Sequence, residues 1–331
     1  MLTKSQLKKY PLAFILISCL ILIAFFTNSK DDESLHLVDE RFNMNTLMQI
    51  DVWCNKNNSK EVKISIDKAF ATIQDVNKQT DRYSELTKYG LYNLNKLNTA
   101  QLPVEYEKST HLVHLLHFLA THKSPYFKAN LANLIDLWKE KKAANTVPTK
   151  KEVTTALINS KNTLDLGGIA KGYAIDKAYE DLLKNKHIQA ALINCGGNIR
   201  VLGLRKNKKS WKIAIQHPRI ENNYLGIITL KPGESVATSG DYQRYYEVNK
   251  KRYHHILNPQ TGYPARGLIS VTVWAKTAEL ADYYSTLLFV ADLDEAKNIL
   301  KQKPAIGAII MTFDQKLYVS PNLEKIFKRE N

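Results

Sequence analysis

A pair of glycines leading into an amphipathic run constrains this chain more than any other feature. After Thr163 and Leu164 comes Asp165-Leu166-Gly167-Gly168-Ile169-Ala170-Lys171-Gly172-Tyr173-Ala174-Ile175-Asp176, and Ala174, Ala178, Leu182 and Leu183 then fall at helical spacing. That spacing predicts a helix with one buried face. Glycine takes up positive φ cheaply and lets a backbone come close to a ligand. A helix that starts just after it points free N–H groups and a partial positive charge at an anion, typically a phosphate. The spacing is neither GxxxxGK[ST] nor GxGxxG. By itself the stretch therefore reads first as a tight strand-to-helix turn and second as a phosphate site.

A length of 331 residues, 44% hydrophobic and 24% charged, allows one large domain or two modest ones with a sizeable core. The excess of 47 basic over 32 acidic residues, net +15, suits a phosphorylated ligand, an anionic membrane surface or nucleic acid. No helix-turn-helix, zinc-finger or RNP-like motif is visible, which puts nucleic acid last.

Lys4, Lys8 and Lys9 precede an apolar run from Leu12 to Phe26, and Lys30, Asp31, Asp32 and Glu33 follow it. This pattern predicts an export signal or signal-anchor over residues 1–29 with its basic end in the cytoplasm. The run is short of the roughly 20 residues that span a bilayer. Leu16-Ile17-Ser18-Cys19 also matches a lipoprotein cleavage box, with Cys19 as the lipidated residue. Either anchor places the body at the inner membrane on the periplasmic side. Two cysteines remain, Cys54 and Cys195, and both read as buried thiols.

Residues 30–43 are polar and charged and read as a linker, with the folded body starting at Met44. Val62-Lys63-Ile64-Ser65-Ile66 alternates like a strand, and Asp67 would then cap a helix through Ala69, Phe70, Ile73 and Val76. A later helix carries His111, His114, His117 and His122. His114 and His117 are neighbours on it and His111 points elsewhere, which disfavours a metal cluster. Lys139 to Lys151 reads as a solvated connection. Further strands are expected at 190–194, 211–215, 226–230 and 270–274, and a helix at 279–287. Asp282 and Thr286, four apart on that helix, project two hard oxygens from one face, a set suited to Mg²⁺. Strands and helices mix without sustained βαβ alternation, so the expected class is α+β.

In order along the chain, DLGGIAKGYAID (165–176), INCGGNI (193–199), ATSGDY (237–242), HHILNPQTGYP (254–264) and AELADYYSTLLF (278–289) together resemble the ApbE family of FAD:protein FMN transferases. The resemblance implies a single α+β catalytic domain over 44–328, with mixed or antiparallel sheets and flanking helices. It implies transfer of FMN from FAD to a Ser or Thr hydroxyl of an acceptor flavoprotein, with AMP released. Backbone near Ala170, with Asp282 and Thr286, would hold Mg²⁺. Asp165, Gly167, Gly168, Lys171, Asp176, Ser239 and Gly240 would lie against the dinucleotide, and Met44, Tyr83 and Phe127 against the flavin. His255 would contact FAD and, with Asp282, carry the chemistry. Departures from the family pattern fall at Asn45, at Lys128-Ala129-Asn130 and at Asn258. The alternatives are an FAD pyrophosphatase giving FMN and AMP, or a non-catalytic FAD-binding lipoprotein.

Overall fold

The computed structural model describes residues 34–99, 101–205 and 209–330. The expected signal or anchor and the Cys19 box lie outside the described residues. An eight-stranded sheet runs in the order β1-β2-β3-β4-β7-β10-β11-β12, and every pairing in it is antiparallel. Its strands are β1 (Ser34–Asn43), β2 (Thr46–Asn55), β3 (Ile188–Cys195), β4 (Asn198–Gly203), β7 (Ser235–Gly240), β10 (Leu268–Ala275), β11 (Gly307–Thr312) and β12 (Leu317–Val319). A three-stranded sheet joins β13 (Phe327–Arg329), β6 (Tyr224–Leu230) and β5 (Trp211–Gln216), and β8 (Tyr245–Val248) pairs with β9 (Lys251–His254). The fold is α+β, as expected.

The two-residue period of a strand sorts side chains onto the two faces of the large sheet. Ala191, Ala237, Val271 and Ile310 join a core with α1 (Ser59–Thr80), α6 (Ala170–Leu183) and α7 (Ala278–Val290). Their sequence neighbours Ala190, Val236 and Ile309 face the three-stranded sheet in a second core with Trp211, Ile228 and Phe327. With both faces covered, β11 reads as an unbroken apolar run. A third cluster packs Leu134 and Trp138 of α4 (Ala132–Ala143) and Val153 of α5 (Lys150–Asn159) against Leu257, with Tyr246 and Tyr253 of the β8–β9 hairpin beside them.

The structure differs from expectation at the N-terminal end of the body. Residues 34–43 are strand, paired with β2 from Ser34↔Asn55 to Asn43↔Thr46. Leu35 and Leu37 reach the core on one face, while the charges suggestive of a linker sit on a sheet edge, where they discourage pairing with another chain. Val62 to Ile66 is helix, not strand. Val62, Ile66, Ala69, Phe70, Ile73 and Val76 all bury at helical spacing, and the alternating Ile64 is left 67% exposed. Asp67 consequently lies inside α1, not at its cap. Leu183 ends α6 exposed, although Ala174, Ala178 and Leu182 are buried as expected. Cys54 and Cys195 are buried free thiols, and burial pushes the Cys195 thiol up to about 12.

Candidate active site

The glycine stretch first serves a helix crossing. A Cβ on Gly172 would lie 2.2 Å from the Ala278 carbonyl oxygen and 2.7 Å from Asp282 Cβ, so glycine is what lets α6 and α7 meet. At the crossing the Gly172 N–H donates to Asp282 Oδ2 at 2.9 Å, which satisfies an N–H left free in the first turn of α6. The reverse contact lies one turn further on. Asp176 of α6 accepts the N–H groups of Ala278 and Glu279, the first residues of α7, at 2.8 and 2.9 Å. Arg200 donates to the same carboxylate at 2.6 Å. Expected against a dinucleotide, Asp176 is instead buried with protein donors on both oxygens, and it bears on the site by fixing α7.

Upstream of α6, Asp165 Oδ1 accepts the Gly167 N–H at 2.9 Å and so shapes the turn, while Oδ2 accepts from Arg82 Nε at 2.7 Å. Arg82 also donates to both oxygens of Asp136 on α4, at 2.9 and 2.7 Å. Tyr83 donates to Asp136 Oδ1 at 2.8 Å, and its ring lies under Lys139 Nζ at 4.0 Å. Burial and the positive charge of Arg82 hold the Lys139 ammonium below its usual pKa. Lys139, expected in a solvated connection, thus belongs to the rim of the site. Gly168 is where a second wall comes close: a Cβ there would sit 3.0 Å from the Phe127 ring and 3.4 Å from Thr286 Cγ2. Phe127, Gly168 and Thr286 are therefore neighbours, and Ser239 Oγ lies 3.4 Å from Thr286 Oγ1.

Asp282 is 3% exposed. Its Oδ1 faces Lys171 Nζ at 3.5 Å, outside hydrogen-bonding distance, and Lys171 donates to the Gly167 carbonyl at 3.2 Å. Among the described residues no group of three or more His, Cys, Asp or Glu side chains comes together to hold a metal. A cation here would depend on one carboxylate oxygen, the Thr286 hydroxyl and main-chain carbonyls near Ala170. These are all hard oxygens, the donors that Mg²⁺ accepts when substrate phosphates complete its shell.

The β8–β9 hairpin brings His255 within electrostatic reach of Lys171. Its two ends meet where the His255 N–H donates to the Arg244 carbonyl at 3.1 Å and His255 Nδ1 lies 3.2 Å from the same oxygen. A carbonyl can only accept, so Nδ1 carries the proton and Nε2 is left as a lone-pair base. His255 is open to solvent but sits in a recess crowded with protein atoms. That crowding, with the Arg244 charge, holds its pKa well below 6.5. The loop after it is built as turn chemistry predicts: Asn258 Oδ1 accepts the N–H groups of Gln260 and Thr261 at 2.8 and 3.2 Å. An amide oxygen serves this turn as a carboxylate would, which accounts for the departure at Asn258.

Two expected residues lie apart from this group. Met44 and Asn45 form the two-residue turn between β1 and β2 with φ of 49° and 59°. They wall a recess of about 240 Å³ with Asp81 and Ser84, two residues before Tyr83 and one after it. Gly240 is needed for packing, because a Cβ on it would lie 2.3 Å from the Tyr242 ring. The histidines of α3 (Thr110–Thr121) form no part of the site. His111 and His114 both meet Tyr173, by a 2.9 Å hydrogen bond and a 4.4 Å ring stack, so these two share a face, contrary to the sequence reading. Sequence reasoning missed Arg82, Asp136, Lys139 and Arg244. The Asp136–Lys139 spacing of three on one helix was the only local signal for any of them.

Comparison with known proteins places the chain in a family. A protein of Klebsiella pneumoniae (strain 342), named FAD:protein FMN transferase, is 40% identical over 159 residues, covering 47% of this chain and 48% of the relative. One of the same name from Treponema pallidum (strain Nichols) is 32% identical over 179 residues, covering 51% and 49%. The chain thus spans about half the length of these curated relatives. Among solved structures, the ApbE protein of Thermotoga maritima superposes with a TM-score of 0.75 at 28% identity, over 89% of this chain and 100% of that one. Flavinyl transferase ApbE of Pseudomonas stutzeri superposes at 0.70 over 89% of this chain and 98% of that one, and at 21% identity it shows likeness of fold alone. The ApbE family pattern matches residues 44–310, from the β1–β2 turn into β11, and the chain belongs to the ApbE family.

Proposed function

We propose that this chain moves the FMN half of FAD onto a Ser or Thr hydroxyl of an acceptor flavoprotein and releases AMP. The observation that carries the reading is the His255–Arg244 contact: it leaves Nε2 unprotonated at neutral pH, within electrostatic reach of Lys171, whose ammonium lies 3.5 Å from Asp282. The acceptor hydroxyl oxygen forms a bond to the FMN phosphorus while its proton passes to His255 Nε2. The bond from that phosphorus to the bridging oxygen breaks, and the electron pair leaves on AMP. A positioned base of this kind contributes about 10²–10⁴ in rate.

Asp282 Oδ1, Thr286 Oγ1 and backbone near Ala170 are the donors that would hold Mg²⁺. When bound there, the ion would neutralise pyrophosphate charge. Lys171 adds a further cation on the same side. Asp165 orders the Gly167-Gly168 turn against which the dinucleotide lies, and Phe127 and Tyr83 supply aromatic faces for the isoalloxazine. The N-terminal segment would tether the body to the inner membrane with the site on the periplasmic side, where acceptors would be met.

Full-length protein in detergent, given FAD and Mg²⁺ with and without an acceptor peptide containing Ser or Thr, tests the reading. Acceptor-dependent AMP release with covalent flavin fluorescence supports it. AMP in both tubes indicates an FAD pyrophosphatase, and bound FAD without AMP indicates a flavin-binding protein; either result overturns it.

A further inference from the structure

Arg244 is the one site arginine whose guanidinium has no hydrogen-bond or ion-pair partner among the described residues. Arg82 is fully engaged by Asp136 and Asp165, and Arg200 by Asp176. Arg219 pairs with Asp241 through two bonds of 2.7 and 2.6 Å, and Arg252 reaches Asp241 and Glu247. Arg244 instead stands at the foot of the β8–β9 hairpin, within electrostatic reach of the Asp165 and Asp282 carboxylates and of His255. Arg244 is open to solvent, yet the protein atoms packed around it hold its pKa below the usual value. An unpaired guanidinium open to solvent presents a rigid fork of donors matched to phosphate oxygens.

We infer that the Arg244 guanidinium is a diphosphate-binding group of this site, held in register with the base because its own carbonyl orients His255. The carbonyl and the side chain of one residue thus set two things together: which nitrogen of His255 is free, and where the phosphate oxygens lie relative to it. The ligand class is a nucleoside diphosphate or a dinucleotide joined through a pyrophosphate. This rests on the proposed function for its place in the reaction, but the binding claim is measurable without turnover.

The test is calorimetric titration of the full-length protein with ADP and, separately, adenosine, in the presence of Mg²⁺. We expect wild type to bind ADP, R244Q to bind it at least about tenfold more weakly, and R244K to fall between them, as loss of a charge-assisted hydrogen bond implies. Adenosine, which has no phosphate, should bind wild type and R244Q alike. Guanidinium at low millimolar concentration should restore ADP binding to R244G, a rescue that a merely misfolded variant does not give. Unchanged ADP affinity in R244Q, absent rescue in R244G, or a wild type blind to ADP overturns the inference. Wild type that binds ADP through Arg244 but never labels an acceptor sinks the transferase reading and leaves this one standing.

Discussion

Asp176 and Asp282 cap each other's helices: Asp176 on α6 accepts the first N–H groups of α7, and Asp282 on α7 accepts the Gly172 N–H of α6. The two carboxylates hold one crossing from both sides, yet they differ in surroundings. Asp176 is closed by Arg200, whereas Asp282 Oδ1 accepts no hydrogen bond among the described residues and has the Lys171 ammonium 3.5 Å away. The difference separates a group that holds the fold from one that is also available to a ligand.

Substitution should therefore split their effects. Asp176→Ala leaves a mostly buried Arg200 without its partner and two N–H groups uncapped, and should cost about 3–5 kcal/mol. Asp282→Ala removes a single capping bond, and should cost about 1–2 kcal/mol while abolishing transfer. Denaturant unfolding of both variants beside an AMP-release assay checks this; equal destabilisation would count against the division.

Glycine replacements should separate in the same way. Gly172→Ala drives a Cβ into the Ala278 backbone, which cannot yield without parting α6 from α7, so about 3 kcal/mol or more should be lost. Gly168→Ala meets side chains and no backbone, the Phe127 ring edge at 3.0 Å and Thr286 Cγ2 at 3.4 Å, and should cost less than about 1 kcal/mol. Its effect should appear as weaker flavin binding, read by fluorescence titration.

The rate should depend on pH through His255. With its folded pKa well below 6.5, the base form persists into acid, and the acidic limb of kcat/KM should fall below pH 6.5. His255→Gln should remove that limb and lower the rate by about 10²–10⁴. An acidic limb centred at or above pH 6.5 would contradict the assignment.

Stability should carry two opposed pH dependences. His254 is buried, donates Nε2–H to the Ala265 carbonyl at 2.8 Å, and has its pKa lowered by that burial to about 4. The unfolded chain therefore takes up a proton first, and stability is lost as pH falls from 6.5 to about 4, by up to about 3 kcal/mol. Glu279, pushed to about 8 by burial and by the Asp176 charge, works the other way: its folded form holds a proton that the unfolded form has released. Stability from Glu279 is present below 4.5 and is lost as pH rises to about 8. Around Glu279 stand His114 at 3.0 Å on α3, Asp176 and Lys177 on α6, and the Tyr173 ring. Thermal melts of Glu279→Gln should lose the decline between pH 6.5 and 8, and those of His254→Gln the decline on the acid side.

Much of this molecule was legible before its fold. The strands at β3, β5, β6 and β10 and the helix α7 follow from two-residue and 3.6-residue apolar periods, because burial of one face acts on residues close in sequence. The turn around Asn258 follows from its own side chain. The short segments failed where a local pattern fitted two periods. Val62 to Ile66 alternates over five residues, and only the continuation to Ile73 and Val76, packed on the sheet, decides for helix. The edge strand β1 looked like a linker because its charges face solvent, and nothing local reveals that β2 waits to pair with it.

The sequence by itself determined the class of fold, the order of the glycine, histidine and Asp–Thr stretches, and the hard-oxygen character of the candidate cation site. Tertiary structure alone decided which chosen residues meet. It placed Asp176 under α7 instead of against a ligand, brought Phe127 onto Gly168 and Thr286, drew Lys139 into the rim, and left Arg244 unpaired beside His255. The physical reason is one of range. Backbone propensity and periodicity act within a few turns of chain. The pairing of one charge with another, or its freedom to meet a ligand, depends on groups tens to more than a hundred residues away that only the folded packing sets side by side.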